Sequence, residues 1–193
     1  MRVAFAVLAA ALAAGCLLPQ TAADPRYFTP GAPPAPVDAG PHAADGPELR
    51  IRRVRAAAYL KNRMVWRNGV EVGFYDLLRW TEPPARYAQQ WLDDELFERR
   101  GLRRATDPKA PQLVVRLSQF DELLAPAHEA AVTLDATLLG GDREVLVERS
   151  FSARRPIAGD DPAAVADALG AALTDATGQL GGAVVDALSA RRP

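Results

Sequence analysis

Cysteine occurs once in the 193 residues, at Cys16. An internal disulfide and a cysteine-based metal cluster are therefore excluded. Lysine is nearly missing too: only Lys61 and Lys109 occur, and arginine carries the rest of the positive charge. The net charge is −1, so no basic field gathers nucleic acid. Histidine is limited to His42 and His128, and neither has a Ser, Cys or His nearby at a useful spacing. His128 is expected in a solvated turn between strands. The chain lacks a Gly-x-Ser-x-Gly nucleophile turn and a Gly-x-x-x-x-Gly-Lys phosphate loop. Of the acidic pairs, Asp93-Asp94 lies within a helical pattern, where adjacent residues point about 100° apart. Asp160-Asp161 precedes a proline and suits a helix cap. These absences predict a non-enzymatic protein with no cofactor and no metal site.

What is present begins at the N-terminus. Met1-Arg2 supplies a positive charge, and residues 3–14 are apolar without interruption. That run is too short to span a bilayer, which takes about 20 residues. A charged start, a short apolar run and small residues before a cut site describe an export signal. Leu12-Ala13-Ala14-Gly15-Cys16 resembles the lipobox of bacterial lipoproteins. One departure is Ala13, three places before the cysteine, where that motif prefers Leu. Cleavage is expected before Cys16, with lipid on its thiol and an acyl chain (palmitate) on the new N-terminus. Residues 1–15 are then the signal and 16–47 a lipidated tether rich in Pro, Ala, Gly and Asp. Tyr27-Phe28 interrupts the tether and is expected to dock as a short strand.

The folded domain is expected over residues 48–190. Leu49, Ile51 and Val54 alternate with arginines, as in a half-buried strand. Two further strands flank Asn68-Gly69, a hairpin signal. Thr81 is expected to cap a helix opened by Pro83-Pro84. Ala88, Trp91, Leu92 and Leu96 share its buried face, and Gly101 stops it. Three alternating strands follow, around Leu113–Leu117, Val132–Leu138 and Val145–Phe151, with Gly140-Gly141-Asp142 between the last two. A final helix starts at Asp161-Pro162 and carries Val165, Leu169, Ala172, Ala176, Leu180, Val184 and Leu188 in one stripe. Gly178, Gly181 and Gly182 predict a bend or close packing in its second half. The fold class is α/β, α+β-like: a mixed, mainly antiparallel sheet of about five strands covered by two main helices.

Tyr59-Leu60, Met64-Val65 with Arg67, Arg79-Trp80-Thr81-Glu82-Pro83-Pro84 and Phe120-Asp121 go further. With Tyr27-Phe28 and the alanine-rich last helix, they resemble the ABC-type transport auxiliary lipoprotein family over roughly residues 27–188. That family includes the outer-membrane lipoprotein of the paraquat-inducible system. Ala58 departs from the proline usual there before Tyr-Leu. The resemblance implies a fold similar to the N-terminal domain of TolB. It also implies a role in envelope lipid transport beside ABC transporter components and an MCE-domain substrate-binding protein. Leu17 after Cys16 favours the outer membrane, facing the periplasm, under the usual sorting rule.

Residues 59–80 hold more aromatic and long apolar side chains than alternation can bury, with Lys61, Arg63 and Arg67 around them. Tyr59, Trp66, Arg67 and Tyr75 are the expected partner-binding residues, in a patch that could also join copies into a homo-oligomer. Arg79 and Glu82 are expected to pair across Trp80. The competing class is a structural envelope lipoprotein that bridges layers without a transport role.

Overall fold

A computed structural model describes residues 23–33 and 46–191; Cys16, His42 and the expected export signal lie outside them. The alternation at Leu113, Val115 and Leu117 belongs to a 14-residue strand, β7 (Gln112–Ala125), the spine of the sheet. Along one edge β7 pairs antiparallel with β8 (Glu129–Leu139), and β8 with β9 (Val145–Pro156). Along its other edge three short strands follow one another, all parallel to it. They are β2 (Glu48–Ile51), β3 (Arg55–Ala56) and β4 (Arg63–Asn68). β5 (Glu71–Trp80) pairs antiparallel with β4, and β1 (Arg26–Phe28) runs parallel to β5. β6 (Arg103–Arg104) pairs with β2. The sheet is mixed, and its longest ladders are antiparallel. Nine strands appear where about five were expected; β1 is the short strand expected at Tyr27-Phe28, while β3 and β6 are too short to show an alternation.

Two helices cover one face. α1 (Pro84–Asp93) runs into a π-helical turn at Asp94–Arg99, and Gly101 ends it with a φ of 65°. Ala88, Trp91, Leu92 and Leu96 are buried as expected. The cap differs from expectation. Pro83 stands at the N-cap without a side-chain bond, and the Thr81 hydroxyl lies 2.7 Å from the Tyr87 hydroxyl instead. Tyr87 also accepts from the Glu82 N–H at 3.0 Å. Arg79 and Glu82 do not pair with each other. Arg79 donates to the Tyr75 carbonyl at 3.2 Å, and Glu82 faces Arg86 at 3.9 Å.

α2 (Pro162–Ser189) opens as the sequence predicts, with the Asp161 carboxylate accepting from the Ala163 N–H at 3.0 Å. Its apolar stripe lies buried against β8 and β9. Glycine serves close packing here. A side chain at Gly181 would collide with Glu95 and Arg100, and one at Gly170 with the Pro30 carbonyl. Residues 26–33, inside the stretch read as tether, therefore sit on the fold: Phe28 pairs beside Trp80 and Pro30 lies on α2.

Both hairpins have a register of their own. Asn68 pairs with Glu71, so the β4–β5 loop is Gly69-Val70, with Gly69 at a φ of 60°. Glycine first in a two-residue loop is the II′ pattern. Between β8 and β9 the positive φ (66°) falls on Arg143 rather than on either glycine. Gly141 instead leaves room for the Lys109 carbonyl.

Candidate functional site

The alternation of β7 breaks at a bulge between Leu117 and Gln119. A bulge adds a residue and re-aims the side chains after it. Leu117 and Phe120, three apart, are both fully buried. Beyond them Asp121 and Glu122 stand side by side, 0% and 4% exposed. Neighbours on a strand point to opposite faces, so two acids are buried at one end of the sheet, one on each side of it.

Each acid has its own partners. Arg67 on β4 holds Asp121 through Nη2 at 2.8 Å and Nε at 2.9 Å. The Tyr59 hydroxyl lies 3.1 Å from the Asp121 carboxylate and 3.1 Å from the Ser118 carbonyl at the bulge. On the opposite face the Tyr75 hydroxyl donates to Glu122 at 2.8 Å, and His128 Nε2 lies 2.7 Å from the other Glu122 oxygen. Trp66 stands opposite Gly73, and its ring fills the space a Gly73 side chain would need.

The four residues singled out from the sequence thus divide in two. Tyr59 meets Arg67 on one face; Trp66 and Tyr75 share the other. All four are half-buried. Sequence reasoning named Asp121 only within the Phe120-Asp121 resemblance and gave neither it nor Glu122 a place in the site, although two consecutive carboxylates in an apolar strand were visible. His128 sits in the β7–β8 turn as expected, but it is hydrogen-bonded rather than merely solvated. Leu60, Met64 and Trp80 are core residues, whereas Val70 (100%), Phe74 (39%) and Leu77 (40%) are exposed, as is Leu124 (43%) beyond Asp121.

The two phenols are donors by construction. Burial pushes Tyr59 up to about 12, and the Asp121 carboxylate adds to the rise. Burial and the bond to Glu122 raise Tyr75 as well. A phenol whose folded value lies above its unfolded value of about 10 stabilises the fold fully below that pH, and less as pH climbs through the folded value. The melting temperature of the wild type is expected to fall between pH 10 and about 12 more steeply than that of Tyr59→Phe. Parallel curves would mean that Tyr59 is not held by this network.

Among the described residues no group of His, Cys, Asp or Glu is placed to hold a metal ion. No helix there is long and apolar enough to cross a membrane. The geometry is that of a folded platform with a polar-stapled end.

This architecture recurs in solved structures. One is a Xanthomonas campestris protein described under the family name DUF330, with a TM-score of 0.71 and 24% identity over 84% of this chain and 96% of that one. Another is an uncharacterized protein with a TM-score of 0.67 and 14% identity over 84% and 99%. At these identities they establish the fold. No curated protein matches the sequence. The sequence model of the ABC-type transport auxiliary lipoprotein component matches residues 29–181, and the chain belongs to that family. The protein is accordingly an accessory component of an ABC transport system in the bacterial envelope.

Proposed function

We propose that the chain is held by lipid on Cys16 in the outer membrane, facing the periplasm. There it serves an MCE-type lipid transport system by binding partner proteins, without catalysing a reaction. The observation that carries this reading is the family match over residues 29–181. The lipobox-like run before Cys16 supports the anchor. The contact surface is the tip of the β4–β5 hairpin and the neighbouring end of β7, where Val70, Phe74 and Leu124 are exposed; Tyr59 and Arg67 border it on one face of the sheet, Trp66 and Tyr75 on the other. An apolar centre with arginines around it supplies affinity and orientation together.

Crosslinking in intact cells, followed by purification and mass spectrometry, tests the reading. Wild type should recover a permease or MCE-domain protein, and Trp66→Ala and Val70→Glu should each recover at least several-fold less. Val70 is fully exposed, so its replacement leaves folding alone. In parallel, Cys16→Ser should take up no fatty-acid label. Equal recovery from all three proteins refutes the surface, and equal labelling refutes the anchor. Recovery of structural envelope proteins alone would favour the bridging role.

A further inference from the structure

β9 is twelve residues long and pairs only with β8, so among the described residues its outer edge is open. Long open edges are unusual because they invite other strands. The Ile157 N–H donates to the His128 carbonyl at 3.0 Å, which marks that pair as a hydrogen-bonded one. Counting along the β8–β9 register, odd-numbered residues 149–155 turn their backbone groups toward β8. Glu148, Ser150, Ser152 and Arg154 therefore turn theirs outward. Their side chains share the face without helices: Ser150 donates to Asp135, Ser152 bonds Thr133, and Arg154 approaches Glu129 at 3.6 Å. Glu148 has no ion-pair partner among the described residues.

We propose that β9 pairs antiparallel with β9 of a second copy, about a two-fold axis at Phe151, so that one sheet runs through both chains. In this register Ser150 stands opposite Ser152 of the other copy, and Glu148 opposite its Arg154. The outward backbone groups face one another as an antiparallel ladder requires. The symmetry makes the Glu148–Arg154 pair twice. Sliding the strands by two residues either way loses both pairs, so charge fixes the register as well as the partner. Pro156, which has no N–H, ends the ladder. The helices fit the same arrangement. α2 lies over β8 and β9, so two strand spacings of about 4.8 Å bring the two copies of α2 about 10 Å apart, an ordinary packing distance. Asp175, which pairs with Arg155, marks the flank of α2 above β9. Along that flank Ala168 and Ala171, seven and four residues before Asp175, are small.

The inference does not rest on the transport reading, and its test does not touch the β4–β5 end. Sedimentation of the full chain in detergent should give wild type the mass of two chains. Glu148→Arg sets arginine against arginine and Arg154→Glu sets acid against acid, so each variant should sediment as one chain. Their dissociation constants should be raised roughly tenfold or more. An equal mixture of the two variants restores both opposite-charge pairs and should return to two chains. Wild type at one chain overturns the proposal. So does an assembly that survives Glu148→Arg, or a mixture that stays at one chain.

Discussion

Replacing Trp80 with alanine is expected to lower the unfolding free energy by about 3–5 kcal/mol, the usual cost of emptying a buried tryptophan site. Trp80 is 1% exposed. Its ring stands edge-on to Phe120, with centroids 5.3 Å apart, and to Tyr87 at 6.2 Å. Phe120 belongs to the spine strand and Tyr87 to α1, so one side chain joins the sheet to the helix above it. The backbone at the same point is equally committed. The Trp80 N–H donates to Asn62 at 2.7 Å, and the Thr81 N–H to Phe28 at 3.0 Å. Alanine leaves a hole that these fixed neighbours cannot close. Trp80→Phe should cost less, since it keeps most of the contact and removes an indole N–H that has no partner. Denaturant unfolding of the three proteins gives the answer. An unchanged midpoint for Trp80→Ala would mean that the ring does not hold α1 on the sheet.

Arg67→Met is the second large effect. It leaves the Asp121 carboxylate, which is 0% exposed, with Tyr59 as its remaining strong donor. Stranding one member of a fully buried ion pair costs about 3–5 kcal/mol. The Arg67 side chain is 27% exposed and Tyr59 stays in place, so about 2–4 kcal/mol is expected here. Adding Asp121→Asn should recover much of the loss, because a neutral amide can still accept from Tyr59. The coupling in the double-mutant cycle then measures the pair itself. Equal stability of Arg67→Met and wild type would show that Asp121 does not need the guanidinium. The result also bears on partner binding. Arg67 positions Asp121 and Tyr59, so reduced recovery with an Arg67 variant cannot by itself identify a contact. Val70 makes the cleaner probe.

The regular parts of this fold were legible because alternation and helical stripes are local. The stripe from Val165 to Leu188 is buried throughout, and Asp161 caps the helix that carries it. Trp91 and Leu96 face inward for the same reason. Where the sequence misled, a long-range contact had taken over a local one. Thr81 could cap α1, but the Tyr87 hydroxyl claims it. Asn68 could sit in the turn, but the register of β4 against β5 keeps it in the ladder. At the candidate site, Tyr59, Trp66, Arg67 and Tyr75 stood out by type alone. Trp66 and Arg67 part by plain alternation along β4, but Asp121 and Glu122, the acids that hold Tyr59, Arg67 and Tyr75, are set by the bulge at Ser118 in β7. Periodicity after an inserted residue cannot be continued without knowing that the insertion is there.

The three residues of β1 also set a distance. Arg26 pairs with Leu78, so the chain is fastened to the sheet from that point onward. With lipid on Cys16, only residues 17–25 separate the bilayer from the first fixed strand. Ten residue steps reach at most about 33–36 Å even when fully stretched. On the proposed anchor the domain is therefore kept within that reach of the headgroups of the membrane that holds it.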